Sequence, residues 1–217
     1  MTTTYLDLVN DVLVRLREPE VANVSDTTYS KLIGKFVNDA KRQVENAYDW
    51  NDVAETFTIT TSAGTYQYAL TSVNSRYKIL QVIDNTKNIE LKPCTVAWFN
   101  RQITQDNPTN NDPYMYVVDG VNGSRKPYIN LWPIPSGTNS INVYLSNPQN
   151  DLSDDTDVLY VPSEPVILGA YARALVERGE DGGISSSEAY ALYKSALSDQ
   201  IALETSRYVD GANWSAV

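Results

Sequence analysis

The chain of 217 residues carries a formal net charge of −10 and contains no histidine and one cysteine. Its length suits one domain, or one domain with a large insertion, and allows a sizeable core without disulfide staples. The acidic balance argues against strong, uniform binding to a nucleic-acid backbone, because such binding needs clustered Lys and Arg. An acidic surface instead favours solubility and lets DNA pass without adhering.

The missing residue types exclude several kinds of site. Without histidine, neither a Ser-His-Asp or Cys-His centre nor a His-based zinc or iron site can be built within the chain. The one cysteine, Cys94, excludes an intrachain disulfide, and beside Pro93 it is interpreted as a small apolar residue. The glycine motifs of nucleotide binding are absent, and we expect no cofactor and no bound metal.

Membrane and export signals are also missing from the sequence. No apolar run approaches the ~20 residues needed to span a bilayer. The N-terminal segment has acidic residues before its arginines, which is the opposite of the charge order in a secretory signal. We therefore expect a soluble intracellular protein that contacts no membrane.

Two amphipathic helices are predicted near the N-terminus. The first runs from about Tyr5 to Arg17 and begins with a capping box formed by Thr4 and Asp7. The second runs from about Thr27 to Tyr48 and has the clearest helical period of the chain.

The second helix is expected to begin after an N-cap at Ser25 or Asp26. Its basic residues are placed opposite the apolar stripe, where they could meet an acidic partner surface. A solvated helix face is the favoured interpretation for these residues, which are Lys31, Lys35, Lys41 and Arg42.

The middle of the chain, from Val53 to about Pro148, alternates as β-strands do. A short helix at Thr95–Ile103 and a polar loop at Thr104–Pro113 interrupt the strands. The strands are predicted at Glu55–Thr60, Thr65–Leu70, Tyr77–Ile83, Ile89–Lys92, Tyr114–Val118, Pro127–Leu131 and Ser140–Leu145.

Helical periodicity returns after an acidic loop at 151–157. A third helix is predicted to start near Ser163 and to stop at Gly179. A fourth helix runs from about Ser185 to Arg207, with an apolar stripe that includes Leu192 and Leu203. A short tail, 208–217, follows it.

This order of elements predicts an α+β fold, in which an antiparallel bundle of about four helices is interrupted by an inserted antiparallel β module. The predicted bundle comprises residues 1–52 and 158–207, and the predicted β module comprises residues 53–157. Residues 208–217 form a separate C-terminal tail.

Two sets of acidic residues are candidates for chemistry. Asp49, Asp52 and Glu55 could supply the carboxylates of a glycosidase, but acids at a helix–strand junction are more often caps or solvated charges. The loop acids could offer oxygens to Ca²⁺, although their spacing differs from that of an EF-hand. A solvated loop that caps the third helix is favoured for this second set, which is Asp151, Asp154, Asp155 and Asp157.

Aromatic residues are the candidates for partner binding. Tyr208 and Trp214 lie in the tail with no local core to join, so they either fold back or dock on another subunit. Tyrosines of the β part are either core and cross-strand pairs or interface residues. The stretch from Tyr114 to Leu145 is the expected assembly surface, with Tyr114, Tyr116 and Trp132 as its partner-binding residues.

The order of several weak motifs resembles the head-to-tail adaptor (tail tubular or gatekeeper-type) proteins of short-tailed bacteriophages. The likeness spans most of the chain. The motifs are Arg15–Pro19 (Arg-Leu-Arg-Glu-Pro), Phe36–Ala40, Trp50, Gly64–Leu70, Pro113–Val117, Leu131–Pro135, Val143–Leu145 and Val161–Pro165.

The resemblance implies a dodecameric ring between the portal ring and the tail nozzle. In such a ring the helical body packs around the circumference, the C-terminal segment engages the portal protein, and the β module faces neighbouring subunits or the nozzle protein. No catalytic residue is carried over, because no acid pair in this chain matches one, and the protein is not expected to be an enzyme.

The expected function is that of a virion structural protein of the neck or tail, assembled in the host bacterial cytoplasm, whose ring extends the channel for double-stranded DNA. One alternative is another neck or tail-completion protein. A carbohydrate-binding module or a carboxylate-based glycan hydrolase is a second alternative, which would need surface aromatics around an acid pair.

Overall fold

The computed structural model describes residues 3–104, 108, 110–179 and 184–207. The chain divides into two compact units, a helical unit before Val53 and after Pro148, and a β unit from Val53 to Pro148. Helices and antiparallel sheets together confirm the predicted α+β class. The acidic loop, which was expected in the β module, belongs to the helical unit, where its backbone forms hydrogen bonds with the first two helices.

Four α-helices lie among the described residues of the helical unit, and their bounds agree with the predicted elements. They are α1 (Tyr5–Arg15), α2 (Thr28–Ala47), α4 (Ser163–Arg178) and α5 (Ile184–Arg207). Helix α3 (Val96–Ile103) belongs to the β unit, at the position predicted for a short helix.

The helix starts follow local side-chain chemistry. The predicted capping box of α1 is confirmed, since Thr4 and Asp7 exchange side-chain and backbone hydrogen bonds. The predicted caps of α2 are wrong, because Thr27 is the N-cap and Ser30 completes the box. Asp26 instead accepts hydrogen bonds from the backbone of the turn that precedes the helix.

Small residues allow α4 to pack closely against both α2 and α5. A Cβ atom added to Gly169 of α4 would lie 3.1 Å from the Cβ of Ala40 and 3.2 Å from the ring of Tyr193. Contacts of that length are tighter than ordinary packing, so a larger residue would push the helices apart. The core between these helices is built from Ile33, Val37, Ala40, Val44, Val166, Ala170, Ala174, Ala189 and Tyr193.

The strands described in the β unit form two four-stranded sheets and a two-stranded pair. The sheet orders are β1-β10-β3-β4, β2-β8-β7-β5 and β6-β9. Pairing is antiparallel except between β5 and β7 and between β6 and β9. The strands are β1 (Ala54–Thr60), β2 (Gln67–Ala69), β3 (Lys78–Asp84), β4 (Ile89–Glu90), β5 (Lys92–Pro93), β6 (Asn110–Asn111), β7 (Met115–Val121), β8 (Pro127–Trp132), β9 (Ile134–Pro135) and β10 (Ser140–Ser146).

Residues of both large sheets share one buried apolar cluster, as expected where two sheets pack face to face. A second cluster lies on the other face of the β7–β8 sheet, where α3 covers it. The ends of the β unit meet, because Ala54 pairs with Ser146 and the Asn147 N–H donates to the Val53 carbonyl at 2.8 Å.

Candidate functional site

Trp132 is one of the five aromatic residues predicted to bind a partner, and the structure places it in the core. Its side chain is only 5% exposed. The ring makes edge-to-face contacts with Trp98 and Phe99 of α3, at centroid distances of 6.1 and 6.5 Å. The prediction that Trp132 binds a partner is therefore corrected, because its ring is packed in the protein's own core.

The two tyrosines that were predicted to bind a partner, Tyr114 and Tyr116, differ in exposure. Tyr116 is half-buried against the cluster between the sheets, and burial, together with the nearby charge of Glu90, raises the pKa of its hydroxyl group. Tyr114 is 47% exposed and remains available to a partner. Tyr208 and Trp214 lie outside the described residues.

Lys41 was expected on a solvated helix face, and that expectation is wrong. Its side chain is fully buried, and its Nζ atom lies 3.1 Å from a carboxylate oxygen of Glu45, which is buried too. The same Nζ atom donates hydrogen bonds to the carbonyl oxygens of Gln149 and Asn150, at 2.9 and 2.7 Å. A buried ammonium group needs this kind of compensation for the water it has lost.

Asn38, one turn earlier on α2, holds the same returning segment. Its side-chain amide donates to the Leu152 carbonyl at 3.0 Å, and its carbonyl oxygen accepts from the Leu152 N–H at 2.8 Å. We call Asn38, Lys41 and Glu45, with the backbone of residues 149–152, the polar clasp. It fixes the point at which the chain re-enters the helical unit after the β unit.

The acidic loop supports the start of α1 and not that of the third predicted helix, α4. The carbonyl oxygens of Asp155 and Asp157 accept the N–H groups of Leu6 and Tyr5, at 3.1 and 2.8 Å. These N–H groups have no partner within their own helix. The N-cap of α4 is Pro162, which offers no side-chain hydrogen bond. Within the described part of the chain, no group of three or more His, Cys, Asp or Glu side chains could hold a metal ion.

The side chain of Asp157 also forms hydrogen bonds within the acidic loop. These bonds predict that the stability of the protein depends on pH. Its carboxylate accepts the N–H groups of Ser153 and Asp154, at 2.7 and 2.9 Å, which lowers the pKa of the carboxyl group. Because the folded pKa lies below the unfolded one, the stabilisation is present above the unfolded pKa and is lost as pH falls through the folded pKa.

We therefore expect the free energy of unfolding to fall as pH drops below about 4, and to fall less steeply in an Asp157→Asn variant. Urea unfolding followed by circular dichroism between neutral and acidic pH measures both slopes. An Asp154→Asn variant, which keeps the Asp157 carboxylate, is the matched control and should follow the wild-type curve. Parallel curves for Asp157→Asn and the wild type would contradict the assignment.

The three acids considered for glycan hydrolysis are exposed side chains. Asp52 lines a polar pocket of about 710 Å³ in the helical unit, together with Glu164, Glu204 and Arg207. Glu55 belongs to β1 of the β unit, where it accepts a hydrogen bond from the Asn147 amide at 2.6 Å. Asp49 precedes Asp52 in the helical unit.

The exposed basic residues of α2 have the surroundings expected of a solvated face. Arg42 forms two hydrogen bonds of 3.0 Å to the carboxylate of Asp151, and a longer ion pair with Asp39. These three residues line an open pocket of about 790 Å³, and Lys31 and Lys35 line it too. The mixture of both charge signs in this pocket leaves no uniform basic surface there.

An apolar groove between α2, α4 and α5 is a surface that sequence analysis missed. It has two adjoining parts, of about 510 and 440 Å³, which share Gln43 and Tyr190. Val176 and Tyr190 are 67% and 48% exposed along it. We call this surface the helical groove, and its lining residues include Phe36, Gln43, Ala47, Ala172, Val176, Tyr190, Leu197 and Ile201.

Helix α5 shows why sequence analysis missed this groove. The predicted stripe combined Ala189, Tyr193 and Ala196, which are buried, with Leu192 and Leu203, which are 60% and 48% exposed. Apolar residues therefore surround much of this helix, and its sequence has no single apolar face. That distribution is a signal of contacts beyond the bundle.

The protein is a helical unit interrupted by a β unit, and it leaves apolar surfaces exposed, a pattern typical of proteins that bind other proteins. No helix among the described residues has the length and apolarity that a membrane crossing requires.

A family model described as SU10 adaptor protein matches residues 3–215, and the chain belongs to the SU10 adaptor protein family. A search of curated proteins found no match. The resemblance to bacteriophage adaptors is thus confirmed, and the chain is a structural adaptor of a phage particle.

Proposed function

We propose that the protein forms a ring, expected to be a dodecamer, that connects the portal ring to the tail nozzle and extends the DNA channel. The observation that carries this proposal is the family match over residues 3–215. The net charge of −10 supports it, because an acidic or neutral channel wall does not retain DNA phosphates. Packaged DNA would then slide through the ring, and the role is geometric and not enzymatic.

The proposed partners are assigned to different parts of the chain. The segment 208–217 docks on the portal protein through Tyr208 and Trp214, since large aromatics are frequent anchors of protein interfaces. The β unit meets neighbouring subunits or the nozzle protein, and Tyr114 is its exposed aromatic residue there. Assembly in the host bacterial cytoplasm then places the protein in the neck of the virion.

Mixing the purified protein with portal rings and imaging the product by electron microscopy tests the proposal. We expect an added ring on one end of the portal. Removal of residues 208–217 should weaken attachment by roughly 30-fold or more, the effect of losing one interface hot spot of about 2 kcal/mol. The thermal unfolding of the isolated protein should be unchanged.

An Asn213→Ala variant is the matched control within the same segment, and it should attach to the portal like the wild type. A protein that stays monomeric and never binds portal rings would contradict the adaptor role. Binding to the nozzle protein alone would instead favour another neck or tail-completion protein.

A further inference from the structure

We infer that neighbouring copies of this chain join through α5, with an apolar ridge of one copy seated in the helical groove of the next. The ridge consists of Leu192 and Leu203, which are 60% and 48% exposed. This inference rests on the proposed ring, and it assigns the residues that hold the ring together.

The helical period places the ridge and the groove on different flanks of α5. Taking about 100° per residue, Tyr190, Leu197 and Ile201 lie roughly 100° to one side of the buried Ala189. Leu192 and Leu203 lie roughly 50° to the other side of it. The buried residues that face α4 occupy the arc between the two flanks.

The ridge and the groove also match in length. Leu192 and Leu203 are separated by roughly 16 Å along the helix axis, given a rise of 1.5 Å per residue. Tyr190 and Ile201, the first and last apolar residues of α5 that line the groove, are separated by the same interval in the sequence. A ridge of this length can therefore contact the groove along its α5 wall.

Charge complementarity selects a second copy as the occupant. The ridge flank carries the exposed acids Glu188 and Asp199. The groove carries Lys194, whose ammonium group lies 5.4 Å from the centre of the Tyr190 ring, and Arg173. Glu177 is the one acid among the lining residues of the groove. The acids beside the apolar ridge and the cations that line the apolar groove therefore attract each other when the ridge of one copy enters the groove of the next.

The symmetry of such a contact agrees with a ring. Ridge and groove are different surfaces, so their contact is head-to-tail, and a head-to-tail contact either closes into a ring or extends as a filament. Each copy then covers the groove of one neighbour and has its own groove covered by the other. Both the ridge and the groove side of α5 are then covered in the closed assembly.

Disulfide cross-linking on portal rings tests the contact, in a Cys94→Ser background that removes the native thiol. Gln43→Cys marks the centre of the groove, and Leu192→Cys marks the ridge. We expect oxidation to produce dimers only when the two single variants are mixed. A chain carrying both substitutions should give a ladder of covalent oligomers up to the closed ring.

Thr28→Cys, an exposed position at the start of α2, replaces Gln43→Cys in the matched control and should give no dimer with Leu192→Cys. Leu203→Asp should lower the yield of rings at least tenfold while leaving thermal unfolding unchanged, because Leu203 is already half-exposed.

The outcomes separate the interface from the proposed function. Rings on the portal without the mixed cross-link would overturn the ridge-and-groove contact and leave the adaptor role intact. Cross-linking by Leu192→Cys alone would indicate a two-fold dimer, and cross-linking of Gln43→Cys to a Trp214→Cys variant would assign the groove to the segment 208–217. Either result would overturn the inference, and the absence of any ring would overturn the proposed function as well.

Discussion

Replacement of Lys41 by alanine is expected to lower the free energy of unfolding by about 3–5 kcal/mol, as when one partner of a buried ion pair is lost. The substitution removes the cation that faces the buried carboxylate of Glu45, at 3.1 Å. It also removes the donor to the carbonyl oxygens of Gln149 and Asn150, both within 2.9 Å. Urea unfolding followed by circular dichroism measures the change.

Two comparisons separate burial from charge in this experiment. Lys35→Ala, on the exposed side of the same helix, should change the free energy of unfolding by less than about 0.5 kcal/mol. A Lys41→Met, Glu45→Leu double variant should lose less than Lys41→Ala, because neither charge is then left buried alone. Equal effects of Lys41→Ala and Lys35→Ala would contradict the polar clasp.

Trp132→Ala is expected to lower the free energy of unfolding of the β unit by about 3–5 kcal/mol. The reason is the cavity left beside Trp98 and Phe99, whose rings now contact the indole edge to face. Thermal or urea unfolding of the full chain, followed by the near-ultraviolet signal of the aromatic side chains, measures the loss.

Tyr114→Ala is the matched control, since this aromatic residue of the same stretch is 47% exposed. It should change the free energy of unfolding by less than about 0.5 kcal/mol. A Trp132→Ala protein that unfolds like the wild type but no longer assembles would contradict the core role and support the prediction that Trp132 binds a partner.

Features that depend on neighbouring residues were predictable from the sequence. The capping box of α1 needs only Thr4 and Asp7 three residues apart, and both bonds are present. The N-cap of α2 was harder to predict because several adjacent residues have side-chain oxygens that can accept the capping hydrogen bond. Thr27 and Ser30 exchange the capping bonds, while Asp26 closes the turn before them.

Features that depend on distant parts of the chain were not predictable. Lys41 lies four residues after Val37 and three before Val44, so the helical period places it on the apolar stripe of α2, and the prediction that put it opposite that stripe is wrong. Because Lys41 is charged, it was expected to be exposed to solvent. It is buried because the carbonyl groups of residues 149 and 150 accept hydrogen bonds from its ammonium group. These groups are brought to α2 by the return of the chain from the β unit.

The same limit applies to the aromatic residues of β8. Strand alternation correctly sends Ile129 and Leu131 to the core between the sheets. It sends Trp132 to the opposite face, which a sequence pattern alone would assign to solvent. Helix α3 covers that face, and its packing there is a long-range property that strand periodicity does not contain.

The pairing of the first and last strands of the β unit has an evolutionary consequence. Because Val53 and Asn147 are hydrogen-bonded to each other, the unit leaves and rejoins the helical chain at nearly one place. The bundle then needs only two chain ends held side by side, whatever the length of sequence between them, and lengthening such a loop carries a small entropic penalty. Selection can therefore exchange or enlarge the β unit as a cassette while the helical scaffold stays unchanged.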